Sequence, residues 1–209
     1  SARSQIQLGN FTTAEEQILY LEREVRLKKA DYALFLEITA NYHIKQKNWG
    51  KVITYLSKAI KYSGDKKKKV RLTYIIGQIH HQLEDYKSAY NAFDKVVRMN
   101  PEYEFLFNAL LSRARAFDPK YNDSSKLITE INKMLKDDKN NDYKDQIYFA
   151  LAEIALKEEE KEQAIDHLLN ATANNTGNDQ QQSIAHLTLA EIYFNDAEYL
   201  SAQVHYDTA

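Results

Sequence analysis

"LTYIIGQIHHQLEDYKSAYNAFDKVVRMNP", Leu72 to Pro101, decides the fold. It places a small residue, Gly77, in a first apolar-periodic stretch and a second, Ala89, twelve positions on, with a short polar turn between them. The pattern recurs. "QIYFALAEIALKEEEKEQAIDHLLNA" (Gln146 to Ala171) carries Ala152 and Ala164, and "IAHLTLAEIYFNDAEYLSAQVHYDTA" (Ile184 to Ala209) carries Ala190 and Ala202. "LEITANYHIKQKNWGKVITYLSKAI" follows the same scheme with Ala40 and Val52, and Trp49 stands where Tyr86 and Tyr199 open the later second helices. Internal self-similarity of this period is the mark of a helical repeat protein.

These features resemble the tetratricopeptide repeat, a helix-turn-helix unit with small residues where its helices touch, an aromatic in the second helix and a closing proline. Gly77, Tyr86, Ala89, Phe93 and Pro101 fit that pattern in one repeat. The small positions of successive second helices are Ala14, Val52, Ala89, Leu127, Ala164 and Ala202, spaced by 38, 37, 38, 37 and 38 residues. Each unit is thus longer than the usual 34 by roughly one helical turn. The expected fold is all-α, a tetratricopeptide-like superhelical solenoid of stacked antiparallel helix pairs. Its expected layout is one continuous array over residues 1–209: a partial repeat over about 1–30, full repeats over 31–64, 65–101, 102–139 and 140–177, and a truncated repeat over 178–209. The third full repeat is irregular, because "AFDPKYNDSS" around Pro119 must form a longer loop. "SARSQIQLGNF" reads as the tail of a first helix, and Ala209 falls within a second, so the expectation is a fragment of a longer protein whose array continues both ways.

Composition agrees with helices. Only 5 Gly and 2 Pro occur in 209 residues, while 44% hydrophobic and 28% charged residues are ordinary globular values. With no cysteine, disulfide and thiol chemistry are excluded. The net charge of -2 supplies no global attraction to nucleic acid or anionic membranes, and no apolar run approaches a membrane span.

Motifs for chemistry are missing. Glycines at 9, 50, 64, 77 and 177 form no phosphate loop, dinucleotide fingerprint or nucleophile elbow. The histidines at 43, 80, 81, 167, 186 and 205 include no His-x-x-x-His pair, so neither metal nor cofactor is expected. "KEEEKE", Lys157 to Glu162, reads as a solvated inter-helix turn. "GDKKKKVRLTY", Gly64 to Tyr74, is the one basic cluster: Lys66, Lys67, Lys68 and Lys69, followed by Arg71. Asp65 can cap the helix that these lysines open. Lysines in a first turn oppose the helix dipole, so they read as a solvated rim, with docking to an acidic partner as the alternative. Nucleic-acid binding lacks a second basic stripe.

In the tetratricopeptide families that the repeat resembles, first helices line a concave groove. Carrying the groove positions over implies Glu37 and Asn41, then Tyr74, Gln78 and His81, then Phe149 and Glu153, then Leu187 and Glu191. Such a ledge of aromatics, amides and carboxylates suits a peptide or partner helix. The competing reading packs Tyr74, Phe149 and Leu187 between neighbouring helices. Carboxylate clamping of the chaperone-tail kind is disfavoured by Glu37, of the wrong charge one turn before Asn41.

The wording "VRLTYIIGQIHHQLEDY", "NPEYEFLFNALLSRARAFD", "MLKDDKNNDYKDQIYFALAEIALKE" and "LAEIYFNDAEYLSAQVHYDTA" further resembles the SprE/PorW group, tetratricopeptide lipoproteins of type IX secretion and gliding motility in Bacteroidota. The resemblance implies a non-catalytic scaffold on the periplasmic side of the outer membrane. It would be held there by an upstream lipid anchor, with secretion-machinery proteins as partners and no membrane insertion by these residues. A regulatory or accessory repeat domain of an enzyme encoded outside them is the alternative.

Overall fold

The computed structural model describes residues 1–24 and 26–209. Among the described residues all regular structure is helical. The helices are α1 (Ala2–Gln7), α2 (Phe11–Glu24), α3 (Lys29–Lys45), α4 (Trp49–Tyr62), α5 (Lys66–Gln82), α6 (Tyr86–Arg98), α7 (Tyr103–Arg115), α8 (Ser125–Leu135), α9 (Lys144–Lys157), α10 (Lys161–Ala173), α11 (Asp179–Asn195) and α12 (Tyr199–Thr208), with a 3-10 turn over Asp138–Tyr143 before α9. None is long and apolar enough to cross a membrane.

Helix starts follow local chemistry. Asn48, Asp65, Asp85 and Asn178 each accept a main-chain N–H of the first turn that follows, at 3.4, 2.8, 3.1 and 3.2 Å. Such caps satisfy donors that the helix itself leaves without a partner. Helix ends are more uniform than the sequence suggests. Gly9, Lys47, Glu84, Glu159 and Ala197 all have positive φ, between 57° and 78°, and each lies five residues before the buried small residue of its second helix. The N–H of the following residue returns to a carbonyl five positions back, as in Asn48 to His43, Asp85 to His80, Glu160 to Ala155 and Glu198 to Tyr193, each 2.9 Å. These are Schellman motifs, which reverse the chain in three residues.

The small-residue register is the floor of the packing. Ala14, Val52, Ala89, Leu127, Ala164 and Ala202 are all 2% exposed or less, as are Ala40, Ala152 and Ala190 on the first helices. At Gly77 an added Cβ would stand 2.7 Å from the Phe93 ring, so α5 and α6 meet at a distance only glycine permits.

Two compact units divide the chain, residues 1–106 and residues 107–209, with the boundary inside α7. In the first, α1 packs on α2, α3 on α4, α4 on α5 and α5 on α6. Its core joins Ile6, Ile18, Phe35, Leu36, Leu56, Leu72 and Ile79. In the second, α8 packs on α9, α9 on α10, α10 on α11 and α11 on α12. Phe149, Ala152, Leu168, Ala171, Ala185 and Leu189 form a core cluster there.

The irregular repeat has its own anchors. Phe117 is 1% exposed at the start of the segment that carries Pro119, and Arg113, 2% exposed, donates to Glu130 across α7 and α8. Asn140 ties the 3-10 turn to α8 through the Met134 carbonyl at 2.8 Å.

Candidate functional site

In residues 1–106 the first-helix positions are largely occupied by the chain itself. Glu37 is half-buried and pairs with Lys68 at 3.0 Å. Tyr74 lays its ring against Phe93 and Phe105, with centroids 5.3 and 6.2 Å away. His81 meets Tyr86 edge-on at 5.4 Å, Asn41 is half-buried and Gln78 is exposed.

The lysine run begins α5, as its Asp65 cap requires, and Lys66 and Lys67 are exposed at its start, each with a partner nearby. Lys66 Nζ donates to the Asn100 carbonyl at 3.2 Å, Lys67 pairs with Glu102 at 2.5 Å and Lys68 with Glu37. Lys68 thus has its partner on α3, Lys67 just before α7 and Lys66 in the turn after α6. Lys69 is half-buried and Arg71 exposed.

In residues 107–209 polar groups converge on space. A cavity of about 430 Å³ is lined by Arg115 of α7, Gln146, Phe149 and Glu153 of α9, and Gln180, Gln181 and Ile184 of α11, with the Asn178 cap at its edge. Phe149 and Glu153 are the two expected groove residues brought together here. Phe149 is only 8% exposed and belongs to the core cluster, so the ledge reading of its ring is corrected: it is chiefly packing, with an edge on the cavity. Leu187 and Glu191 are exposed and do not line it.

The charges around Glu153 are arranged in depth. Burial pushes its carboxyl above the ordinary range, and Arg115 and Lys157 oppose that shift. Arg115 Nε lies 3.6 Å from Glu153 Oε2, beyond hydrogen-bond length, and Lys157 donates to the Arg115 carbonyl at 2.5 Å. Burial likewise pushes Lys157 down. At the other end Asp145, 1% exposed, is raised by burial against the Gln146 N–H and the Asn178 side chain. Two polar atoms at the cavity are buried without a hydrogen-bond partner: Glu153 Oε2 and Gln181 Nε2.

Sequence reading missed Arg115, Gln146, Asn178, Gln180 and Gln181. The signal was present in "NDQQQS", Asn178 to Ser183, three glutamines in the first turn of a first helix. Elsewhere His186 and His205 meet, Nδ1 to Nδ1 at 2.9 Å. No group of three or more His, Cys, Asp or Glu side chains suited to a metal occurs among the described residues.

Residues 70–103 match the tetratricopeptide repeat family. No curated protein matches the sequence. Among solved structures the chain is similar to RapI in its apo form, with TM-score 0.68 and 15% identity over 93% of this chain and 57% of RapI. It is also similar to a Rap protein complexed with competence and sporulation factor, with TM-score 0.61 and 18% identity over 97% of this chain and 60% of that one. A double mutant of MamA RS-1 gives TM-score 0.60 and 15% identity over 87% of this chain and 94% of that one. The chain therefore spans less than two thirds of either Rap protein. At these identities the likeness is one of fold, an all-α tetratricopeptide-like solenoid.

Proposed function

We propose that this chain is a non-catalytic protein-interaction scaffold that receives a partner segment on its first helices. The observation that carries the reading is the cavity lined together by Arg115, Phe149, Glu153 and Gln181, side chains from three first helices. A volume of this size lies within the range of specific ligand sites. That NprR, solved in complex with its cognate peptide NprX, is similar to this chain in fold supports a partner of peptide character.

The biological setting proposed is type IX secretion and gliding motility in Bacteroidota. There the array, read as continuous over residues 1–209, stands on the periplasmic side of the outer membrane through an upstream lipid anchor. Its partner is a component of the secretion machinery. Support comes from the SprE/PorW-like wording of the sequence, densest after Lys69.

The test is affinity capture with this chain as bait from extracts of a gliding bacterium of that group, using the native chain and Arg115→Ala side by side. Mass spectrometry should find a type IX component on the native chain and much less on the variant, whose helicity and melting are checked first. Capture of an enzyme in place of a secretion component overturns the setting in favour of an accessory domain. Equal retention by the variant removes the cavity from the interface.

A further inference from the structure

We infer that residues 1–106 adsorb on an anionic phospholipid bilayer through one edge of that unit, the edge where second helices pass into first helices. The net charge of -2 conceals a division along the chain. Residues 1–106 carry 18 Lys and Arg against 12 Asp and Glu, and residues 107–209 carry 10 against 18. The excess is concentrated between Arg26 and Arg71, where 13 basic residues stand against Asp31, Glu37 and Asp65. Glu37 is engaged by Lys68 and Asp65 by the cap of α5, which leaves Asp31.

The fold gathers this charge. Antiparallel helix pairs put the α2–α3 and α4–α5 joints on the same edge. Tyr32 of α3 meets Tyr62 of α4 edge-on at 4.9 Å, so the start of α3, with Lys28 and Lys29, lies beside the end of α4, with Lys58 and Lys61. Lys66 follows at the start of α5, and all five lysines are exposed. A helix C-terminus favours Lys61, but Lys28, Lys29 and Lys66 stand where helices begin and the dipole opposes them. Nor does the joint itself demand cations: the α10–α11 joint, Leu169 to Asp179, has no Lys or Arg.

A second observation selects the occupant. Lys66 and Lys67 border a recess of about 220 Å³ whose walls include Val70, Pro101 and Phe105. Cations beside an apolar recess suit an amphiphile, its anionic head group on the lysines and acyl carbons against Phe105. Single-stranded nucleic acid would call for exposed rings to stack on, whereas Tyr32 and Tyr62 are half-buried against each other. An acidic protein would form exposed ion pairs, each of little worth against the entropic cost of association. A charged bilayer needs no fixed pairing, and every lysine near it adds to the attraction. This surface shares no residue with the cavity in residues 107–209, so it goes beyond the scaffold reading, and either can fail alone.

The test is co-sedimentation of the whole chain with vesicles of phosphatidylcholine, alone or mixed with phosphatidylglycerol. Binding should occur to the mixed vesicles only and weaken between about 0.1 and about 0.5 M salt. Each lysine near such a surface multiplies adsorption about fivefold, so changing Lys28, Lys29, Lys58 and Lys61 together to Gln should weaken it roughly hundredfold or more. The same four changed to Arg should bind as the native chain does, and melting of both variants is measured first. Should the Gln variant unfold, the lipid and salt dependence of the native chain decides. Equal binding to both vesicle types, or equal binding by a folded Gln variant, overturns the inference. So does release from the vesicles by free glycerol phosphate, which assigns a phosphate site, or tighter binding to duplex DNA at the same salt, which assigns nucleic acid.

Discussion

Gly77 is confined by one ring. A methyl added there would stand 2.7 to 2.9 Å from three carbons of Phe93, and that ring is 1% exposed, with nowhere to turn. Helix propensity favours Ala over Gly by about 1 kcal/mol. Overpacking a closed site costs roughly 1–3 kcal/mol, so Gly77→Ala should lower stability on balance. Gly50, in the first turn of α4, has nothing within 4 Å of an added methyl, and Gly50→Ala should raise stability by up to ~1 kcal/mol. Urea unfolding of both variants checks the pair, and the same sign for both would remove the packing argument. Phe149→Ala belongs with the core changes and should cost about 3–5 kcal/mol, so loss of binding by that variant would report unfolding. The register of small residues was legible because helix contact distance is a local demand written at fixed spacing. Phe149 was not, since whether an aromatic on a first helix meets solvent or the next pair depends on residues such as Leu168 and Leu189, far along the chain.

At the scale of the element, the repeated turn is the economical feature. Lys47, Glu84, Glu159 and Ala197 hold a left-handed backbone that suits glycine, and only Gly9 at the equivalent place has it. Ala197→Gly removes one exposed methyl from this conformation and should stabilise the protein by about 0.5–1 kcal/mol, read as a higher urea midpoint. No change, or a fall, would mean that the unfolded chain's gain in freedom outweighs the relieved backbone. This turn was hidden in the sequence because its signal is ordinarily glycine, and tertiary packing of each helix pair overrides that preference here. The start of α5 was legible by contrast. Asp65 followed by lysines gives the cap, and Asp65→Ala should cost about 1 kcal/mol. What the lysines do was not legible, because their partners Glu37 and Glu102 lie 31 and 35 residues away from Lys68 and Lys67. Lys68→Met should destabilise more than Lys67→Met. Lys68 and its partner Glu37 are 35% and 23% exposed in their side chains, against 79% and 65% for Lys67 and Glu102, where solvent screens the pair. Thermal melts at low and high salt separate the two.

Over the whole molecule, one buried imidazole, His43, and three half-buried ones, His167, His186 and His205, set the response to pH. His43, His167, His186 and His205 are all pushed below the ordinary value, in each case first by burial; the charge of Lys51 adds to the effect at His43 and that of His186 at His205. The unfolded chain therefore takes up protons first as pH falls through about 6.5. Because the unfolded state then binds more protons, stability declines as pH falls, and the decline ends once the folded-state values are passed. Asp145 and Glu153, raised by burial, act in the opposite sense: their contribution is present below the unfolded carboxylate values and is lost as pH rises through the folded ones. Asp85, Asp123 and Asp137, lowered chiefly by hydrogen bonds from Ser88, Ser125 and Lys139, stabilise above the unfolded value and lose that as pH falls through the folded one. The melting temperature should therefore be highest near pH 8 and fall between pH 7 and 5.5, the four imidazoles outweighing the two carboxyls, Asp145 and Glu153, that act against them. The closest coupling is between α11 and α12, where the Nδ1 atoms of His186 and His205 are 2.9 Å apart and can share one proton but not hold two. Tyr193 stacks on His205 at 5.5 Å and closes that contact from α11. His205→Gln should keep the helix pair, remove one of the four imidazoles and make the fall between pH 7 and 5.5 shallower. A melting temperature constant from pH 8 to 5.5 in the native chain would show that these rings are not held neutral by burial. An unchanged slope in His205→Gln would place the pH response on the other three.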